Sequence, residues 1–274
     1  MLNVKGNLKT FNGPVVMGIL NVTPDSFYEQ SRVRDESEVL EKVEKMIRDG
    51  AEIVDIGGYS SRPGAKDISE EEELNRVVKV ITAVRATYTD LLISIDTFRP
   101  AVAEAAILAG ADMINDITGG QYDEEMYRLA AHYQTPYILM HMRGTPQNMQ
   151  EMTTYKHLIR DISAYFSEQI IRARKAGVKD IIIDPGFGFS KTIEQNFELM
   201  AALDHFQLHD CPVLVGISRK STIYKTLGIT PEESLNGTTV LNTIALQKGA
   251  AILRVHDVPE AVQAIKLVER VINH

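Results

Sequence analysis

Ile181-Ile182-Ile183-Asp184-Pro185-Gly186-Phe187-Gly188-Phe189-Ser190-Lys191 is the stretch from which the fold of this 274-residue chain can be read. Three consecutive Ile suit a strand buried on both faces, as in a parallel sheet. Pro185 brings no N–H to a ladder, and Gly186 and Gly188 permit a turn that few other residues make. The strand therefore stops at a carboxylate, Asp184, which is costly to bury unless something pairs with it. Alone, Asp184 reads as a cap or an ion pair tying down a loop. Repeated around a sheet, the same arrangement reads as a ligand-binding acid on a barrel rim.

The arrangement is repeated. Working outward, apolar runs occupy Val15–Val22, Ile53–Gly58, Leu91–Thr97, Met113–Thr118, Pro136–Met142, Asp180–Asp184, Pro212–Ser218 and Ala250–Val255, eight in all. Between them lie segments with helical spacing: Glu38–Arg48, Glu70–Tyr88, Tyr155–Ala176, Leu199–Phe206, Val240–Gln247 and Val262–Ile272. Gly50-Ala51, Gly110-Ala111, Gly177-Val178 and Gly249-Ala250 each fall between a helical stretch and the next strand, where glycine suits a left-handed helix cap. Residues 2–12 fit a small hairpin plugging the barrel bottom. No linker or charge block divides the chain, so the expectation is one domain over 1–274, a (β/α)8 TIM barrel with right-handed crossovers. An open doubly wound sheet would place a glycine fingerprint after its first strand; here that strand runs into Asn21-Val22-Thr23-Pro24-Asp25.

The composition narrows the function. A formal net charge of −8 argues against a general nucleic-acid or anionic-membrane binder. The single cysteine, Cys211, excludes an internal disulfide and reads as a small buried hydrophobe. Neither a signal core at the start nor a membrane-length apolar run is present, so a cytoplasmic enzyme is expected.

The strand ends carry the chemistry. They read Asn21, Asp55 into Gly57-Gly58, Asp96, Asn115-Asp116, His141, Asp184, Ser218-Arg219-Lys220, and Arg254-Val255-His256-Asp257. In a barrel these ends converge on one face, where ligands bind. Asp96, Asn115 and Asp184 supply acceptors suited to an N–H-rich edge such as an amino-pyrimidinone. Two carboxylates could equally form an acid–base pair; a metal site is disfavoured, because these strands offer no compact His/Asp spacing. Lys220, Arg254 and His256 bring positive charge, so one side of the rim wants N–H donors and the other anionic oxygen. An oxygen ligand such as Asn21 can share Mg²⁺ with a phosphate. Two long polar loops, 23–32 and 59–66, exceed what a barrel connection needs, and lids are a common reason.

Eight phrases in order carry a family resemblance: MGILNVTPDSF (17–27), DIGGYSSRPGA (55–65), SIDT (94–97), INDITG (114–119), LMHMRGTPQNMQ (139–150), IDPGFGF (183–189), LVGISRKS (214–221) and RVHDV (254–258). The chain resembles the dihydropteroate synthases over nearly its whole length. The resemblance implies a barrel, a homodimer and an enzyme of folate synthesis. That enzyme joins 6-hydroxymethyl-7,8-dihydropterin diphosphate to 4-aminobenzoate, with Mg²⁺, and is the target of sulfonamides. It implies that Asp96, Asn115 and Asp184 hold the pterin edge, that Lys220 orders the ring, and that Asn21 is the Mg²⁺ ligand. Arg254 and His256, with Ser61 and Arg62, take the diphosphate. Phe27, Pro63, Phe189 and Ser221 line the 4-aminobenzoate place, and Asp25 joins Asp96 and Asp184 in stabilising cationic character on the pterin. A pterin-dependent methyltransferase domain and a non-catalytic pterin-binding paralogue are the alternatives. Three places depart from the family's usual pattern: Tyr28-Glu29-Gln30-Ser31 in the first loop, Tyr59 and Ser61 in the second, and Arg143.

Overall fold

The computed structural model describes residues 1–22, 32–60 and 67–272. The chain opens with strands β1 (Leu2–Val4) and β2 (Asn7–Lys9), paired antiparallel. Then β3 (Val15–Asn21), β4 (Ile53–Gly57), β5 (Leu92–Asp96), β6 (Met113–Asp116), β7 (Tyr137–Met140), β8 (Ile181–Asp184), β9 (Val213–Val215) and β10 (Ala250–Val255) close into a barrel in chain order, β10 returning to β3. Every barrel pairing is parallel. The connections carry α1 (Arg32–Arg48), α2 (Glu70–Thr87), α3 (Pro100–Ala109), α4 (Glu125–Tyr133), α5 (Leu158–Ala176), α6 (Ile193–Ala201), α7 (Ser221–Leu227), α8 (Leu235–Gln247) and α9 (Val258–Ile272). This is the expected (β/α)8 barrel. No helix among the described residues is long and apolar enough to cross a membrane.

Three helices, α3, α4 and the seven-residue α7, lie outside the periodic segments of the sequence. In α3 the run Pro-Ala-Val-Ala-Glu-Ala-Ala-Ile-Leu-Ala is apolar on nearly every face, so no stripe stands out. Helix α4 spans only nine residues, too few for a clear repeat. Helix α6 starts earlier than its apolar run suggests. Thr192 caps it, accepting from Gln195 N while the Gln195 side chain returns to the Thr192 N–H, and the 203–209 segment is 3₁₀. Gly177 at φ 104 ends α5 with the left-handed turn that leads straight into β8.

Side-chain alternation along the strands decides what faces inward. Val15, Met17, Ile53, Leu92, Met113, Ile138, Ile182, Leu214 and Ile252 fill the lower barrel, with Leu2 and Val4 of the β1–β2 hairpin packed against them from below. Their strand neighbours, among them Val16, Val54, Ile93, Ile114, Ile183 and Leu253, face out into the helical layer. Two residues above the inward layer the register becomes polar: Asp55, Ser94, Asn115, Asp184 and Arg254 share the parity of the buried Ile53, Leu92, Met113, Ile182 and Ile252. Asp96 and Asn21 lie one further step up, Asp96 level with Gly57 and Asn115, Asn21 level with Gly57. The apolar plug thus ends where the polar mouth begins.

Candidate active site

Arg254 stands at the centre of the mouth. Its Nε donates to Asp55 Oδ2 at 2.6 Å and its Nη2 donates to Asp96 Oδ2 at 2.7 Å. Asn115 Nδ2 donates to the same Asp55 oxygen at 2.9 Å. That bond fixes the amide orientation, because only the NH₂ group can face a carboxylate, and it leaves Asn115 Oδ1 as a free-standing acceptor direction. Asp55 Oδ1 and Ser94 Oγ are buried with no hydrogen-bond partner among the described residues. Unmade bonds of that kind are expensive unless a ligand meets them.

On the other side, Asp184 Oδ1 accepts from Gly186 N at 2.8 Å, so the first peptide of the turn orients the carboxylate. Lys220 donates to the Phe187 carbonyl, and its Nζ sits 4.6 Å from the centre of the Phe189 ring. Gly188 has φ 79, and a Cβ there would come within 3.0 Å of Lys220 Cδ, so the lysine stem depends on this glycine. Gly216 lies between the two halves of the site. A Cβ on it would sit 3.9 Å from Arg254 Cβ and 4.0 Å from Asp184 Oδ2, filling space between them. The apolar wall beside these groups is Ile117, Met140, Met142 and Met149, with Phe98 and Phe189 packed on it. Carboxylates beside an apolar wall suit a flat heterocycle with N–H donors on its edge.

Burial sets the charges. It pushes Asp96 up to about 7; Arg254 opposes the rise, while Asp55, Glu73 and Asp116 add to it. Burial also raises Asp184, opposed by Lys220, the Gly186 N–H, Arg254 and Lys191. Lys220 is lowered by burial to about 8, with Asp184 pulling it back up and Arg254 pushing it further down. For Arg254, burial works against the charge, but Asp55 and Asp96 outweigh it and hold the guanidinium above its ordinary value. Acids and cations are therefore interleaved, Arg254 between two carboxylates and Lys220 beside Asp184. The sequence suggested separate flanks; buried charges pair instead, because an unpaired one costs several kcal/mol, on the order of 3–5 when a pair is broken.

The remaining predicted residues fall into three groups. His256 is exposed above Arg254, its Nδ1 3.1 Å from Ser218 Oγ, and its backbone N–H donates to the same hydroxyl at 3.2 Å. Ser221 opens α7 directly after Lys220, and Asn21 ends β3 exposed at the mouth. Asp25, Phe27, Ser61, Arg62 and Pro63 lie outside the described residues. Arg219, adjacent to Lys220, is turned away and paired with Asp257 at 2.5 and 2.9 Å. Asp116, next to Asn115, faces out of the barrel and accepts from Thr118, Gly120 and Tyr137.

The chain matches the family described as pterin binding enzyme over residues 17–256. It is 45% identical over 257 residues to the dihydropteroate synthase of a Synechocystis strain, covering 93% of this chain and 89% of that protein. The chain belongs to the dihydropteroate synthase family, enzymes of the transferase class. The Yersinia pestis dihydropteroate synthase, solved in a complex with a sulfonamide drug, superposes with a TM-score of 0.92 at 40% identity, covering 100% of this chain and 99% of that one. The Xanthomonas albilineans dihydropteroate synthase, solved with 4-aminobenzoic acid, does so at 0.90 and 37% identity, covering 100% and 98%.

Two of this chain's departures from the usual dihydropteroate synthase pattern have structural partners. Tyr59 packs edge-on against Phe98 at 5.2 Å, and Gln147 donates to its hydroxyl at 3.0 Å, joining the loops after β4 and β7. The guanidinium of Arg143 lies 3.9 Å from the centre of the Tyr155 ring, and its backbone N–H donates to Ser190 Oγ at 3.0 Å. Two polar residues were not placed in the site from sequence. Asp55 was visible only as a strand-end carboxylate; its parity with Ile53 and Gly57 was the available signal. Lys191 gave none, because a lysine after a turn normally reads as exposed, yet here it is buried.

Proposed function

We propose that this protein condenses 6-hydroxymethyl-7,8-dihydropterin diphosphate with 4-aminobenzoate, giving 7,8-dihydropteroate and diphosphate. The observation that carries the reading is the Asp55–Arg254–Asp96 set with Asn115 on one side of the mouth and, on the other, Asp184 oriented by Gly186 N and Lys220 held on the Phe187 carbonyl. In this reading Asp184 and Asn115 accept from the N–H-rich edge of the pterin, and Lys220 donates to its ring. Departure of diphosphate from the methylene carbon leaves cationic character on the pterin, which Asp96 and Asp184 stabilise, joined by Asp25. Arg254 and His256, with Ser61 and Arg62, take the departing anion. The aniline nitrogen of 4-aminobenzoate then attacks, with Phe27, Pro63, Phe189 and Ser221 around it. Loss of the leaving group itself generates the electrophile, so no strong base is needed; exclusion of water protects the electrophile.

Among the described residues no three His, Cys, Asp or Glu side chains cluster as a metal cage. Mg²⁺ keeps several waters and binds through one or two protein oxygens plus substrate phosphates, so it needs no such cage. Asn21 at the mouth is the protein oxygen we assign to it; a bound ion would supply charge stabilisation at the leaving diphosphate. A homodimer in the cytoplasm is the setting we assign; exposed Leu227 on α7 and Val240 on α8 are apolar surface that a second copy would cover, and sedimentation checks it.

The test is to incubate the purified protein with the pterin diphosphate, 4-aminobenzoate and Mg²⁺ and to assay dihydropteroate. Product confirms the reading. Pterin binding without product points to a non-catalytic paralogue, and methyl transfer from a methylated pterin instead of condensation points to a methyltransferase.

A further inference from the structure

Under the floor of the pocket lies a buried lysine that the reaction outlined above does not use. Lys191 is 4% exposed. Its Nζ donates to Gly186 O at 2.9 Å and to Phe189 O at 3.0 Å, and it stands 3.1 Å from His141 Nδ1. Three acceptors match the three donors of an ammonium. The turn it holds is the one that serves the pocket on its other face. There Gly186 N orients Asp184, and Phe187 O receives Lys220. His141 N, in turn, donates to Asp184 O at 2.9 Å.

The turn has little freedom elsewhere. A Cβ on Gly186 would lie 2.1 Å from His141 O, so this backbone is pressed directly onto the end of β7. Ser190 is held at φ 47, a conformation costly for a non-glycine residue. Its Oγ accepts from Arg143 N at 3.0 Å, and its carbonyl accepts from Tyr155 at 3.0 Å.

We propose that Lys191 is a positioning residue for this reaction: as an ammonium it ties Gly186 O and Phe189 O to His141 and so sets Asp184 and Phe187 O for the pterin and Lys220. The proposal rests on the pterin-binding reading of the site. The neutral amine has two N–H groups and a lone pair, so it cannot serve all three acceptors. With His141 accepting at Nδ1, a carbonyl then loses its partner and the turn relaxes; only a switch of His141 to the Nδ1–H tautomer would keep all three contacts.

The charged and titratable groups around Lys191 act in different directions. Burial, Lys220 and Arg143 disfavour its proton, Asp184 favours it, and together they bring the lysine to about 7. His141 is held well below its ordinary value by burial, Lys191 and Arg143. It is therefore neutral and can accept at Nδ1.

The experiment compares wild type with Lys191→Met and Lys191→Gln. Calorimetry with the pterin diphosphate and Mg²⁺ across pH 6–9, melting temperatures, and KM for each substrate are measured. Expected are folded variants whose pterin affinity falls by about tenfold or more, the equivalent of one charge-assisted hydrogen bond. KM for 4-aminobenzoate should stay within about twofold, and the fall in wild-type pterin affinity as pH rises through about 7 should be flattened. Wild-type affinity in either folded variant overturns the proposal. So does weakened affinity with the wild-type pH profile, or failure of both variants to fold, since either makes Lys191 merely structural. Because calorimetry needs no turnover, a wild type that binds pterin without making product overturns the synthase reading while leaving this proposal readable. A wild type that binds no pterin overturns both.

Discussion

Asp55→Asn separates the charge of the buried acid from its shape. Asp55 is fully buried, and one of its oxygens accepts from both Arg254 Nε and Asn115 Nδ2, at 2.6 and 2.9 Å. In the variant the amide oxygen can take that place, so both donors keep an acceptor. The NH₂ group takes the position of Oδ1, which has no partner among the described residues. What is lost is the carboxylate charge: the Arg254 ion pair becomes a cation–amide hydrogen bond, and the Asn115 bond becomes neutral. Each change costs on the order of 1 kcal/mol, about 2 kcal/mol together. If that preorganisation of Arg254 and Asn115 is felt in the transition state, kcat/KM for the pterin diphosphate drops by about 30-fold. The melting temperature should move by no more than about 4 °C, since a buried charge is relieved while Arg254 retains Asp96. A second readout is independent. Asp55 is one of the charges that raise Asp96, so the acid limb of the pH–rate profile moves to lower pH. Diphosphate release followed at several pH values measures both. A folded variant with kcat/KM within about threefold of wild type and an unmoved acid limb would refute the view that Asp55 organises the mouth.

Asp184→Asn replaces an acceptor pair by a mixed donor and acceptor and should cost pterin affinity about 100-fold, on the order of 3 kcal/mol; unchanged affinity by calorimetry removes the role. Lys220→Ala should weaken pterin binding without a large fall in melting temperature, because burial already works against this cation; a collapse of the melting temperature would mark a structural lysine. Stability against pH carries the sign of the same shifts. Asp96, raised from 3.8 to about 7, makes the folded state bind more protons in that window, so its contribution to stability declines as pH climbs through it. Lys220, lowered from 10.5 to about 8, acts oppositely: the unfolded state binds more protons between those values, and its contribution improves with pH. Urea midpoints of wild type and Lys220→Met should therefore converge as pH rises from about 8 to 10, and a constant gap would contradict the assignment.

Much of this was legible in the letters because a parallel barrel writes itself locally. Each strand is a short apolar run, four of the helix–strand joints carry a glycine, and every strand ends on polar residues, so Asn21, Asp96, Asn115, Asp184, Lys220 and Arg254 could be expected at one mouth from the letters alone. Where local pattern failed, the reason was physical. Helix α3 is apolar all round and α4 is short, so neither shows a stripe. Asp55 was legible only as a strand-end carboxylate and Lys191 not at all, because their importance lies in partners 199 residues away in one case and 50 in the other.

Sequence by itself determined the barrel and the family to which the chain belongs, since these follow from periodicity and from phrases read along the chain. Only the tertiary structure decided the pairing: Arg254 between two acids, Lys220 against the Phe187 carbonyl, Lys191 beneath the turn. Which charge neutralises which depends on distances across the barrel and on how far burial strips water from each group, and neither quantity is carried by the order of residues.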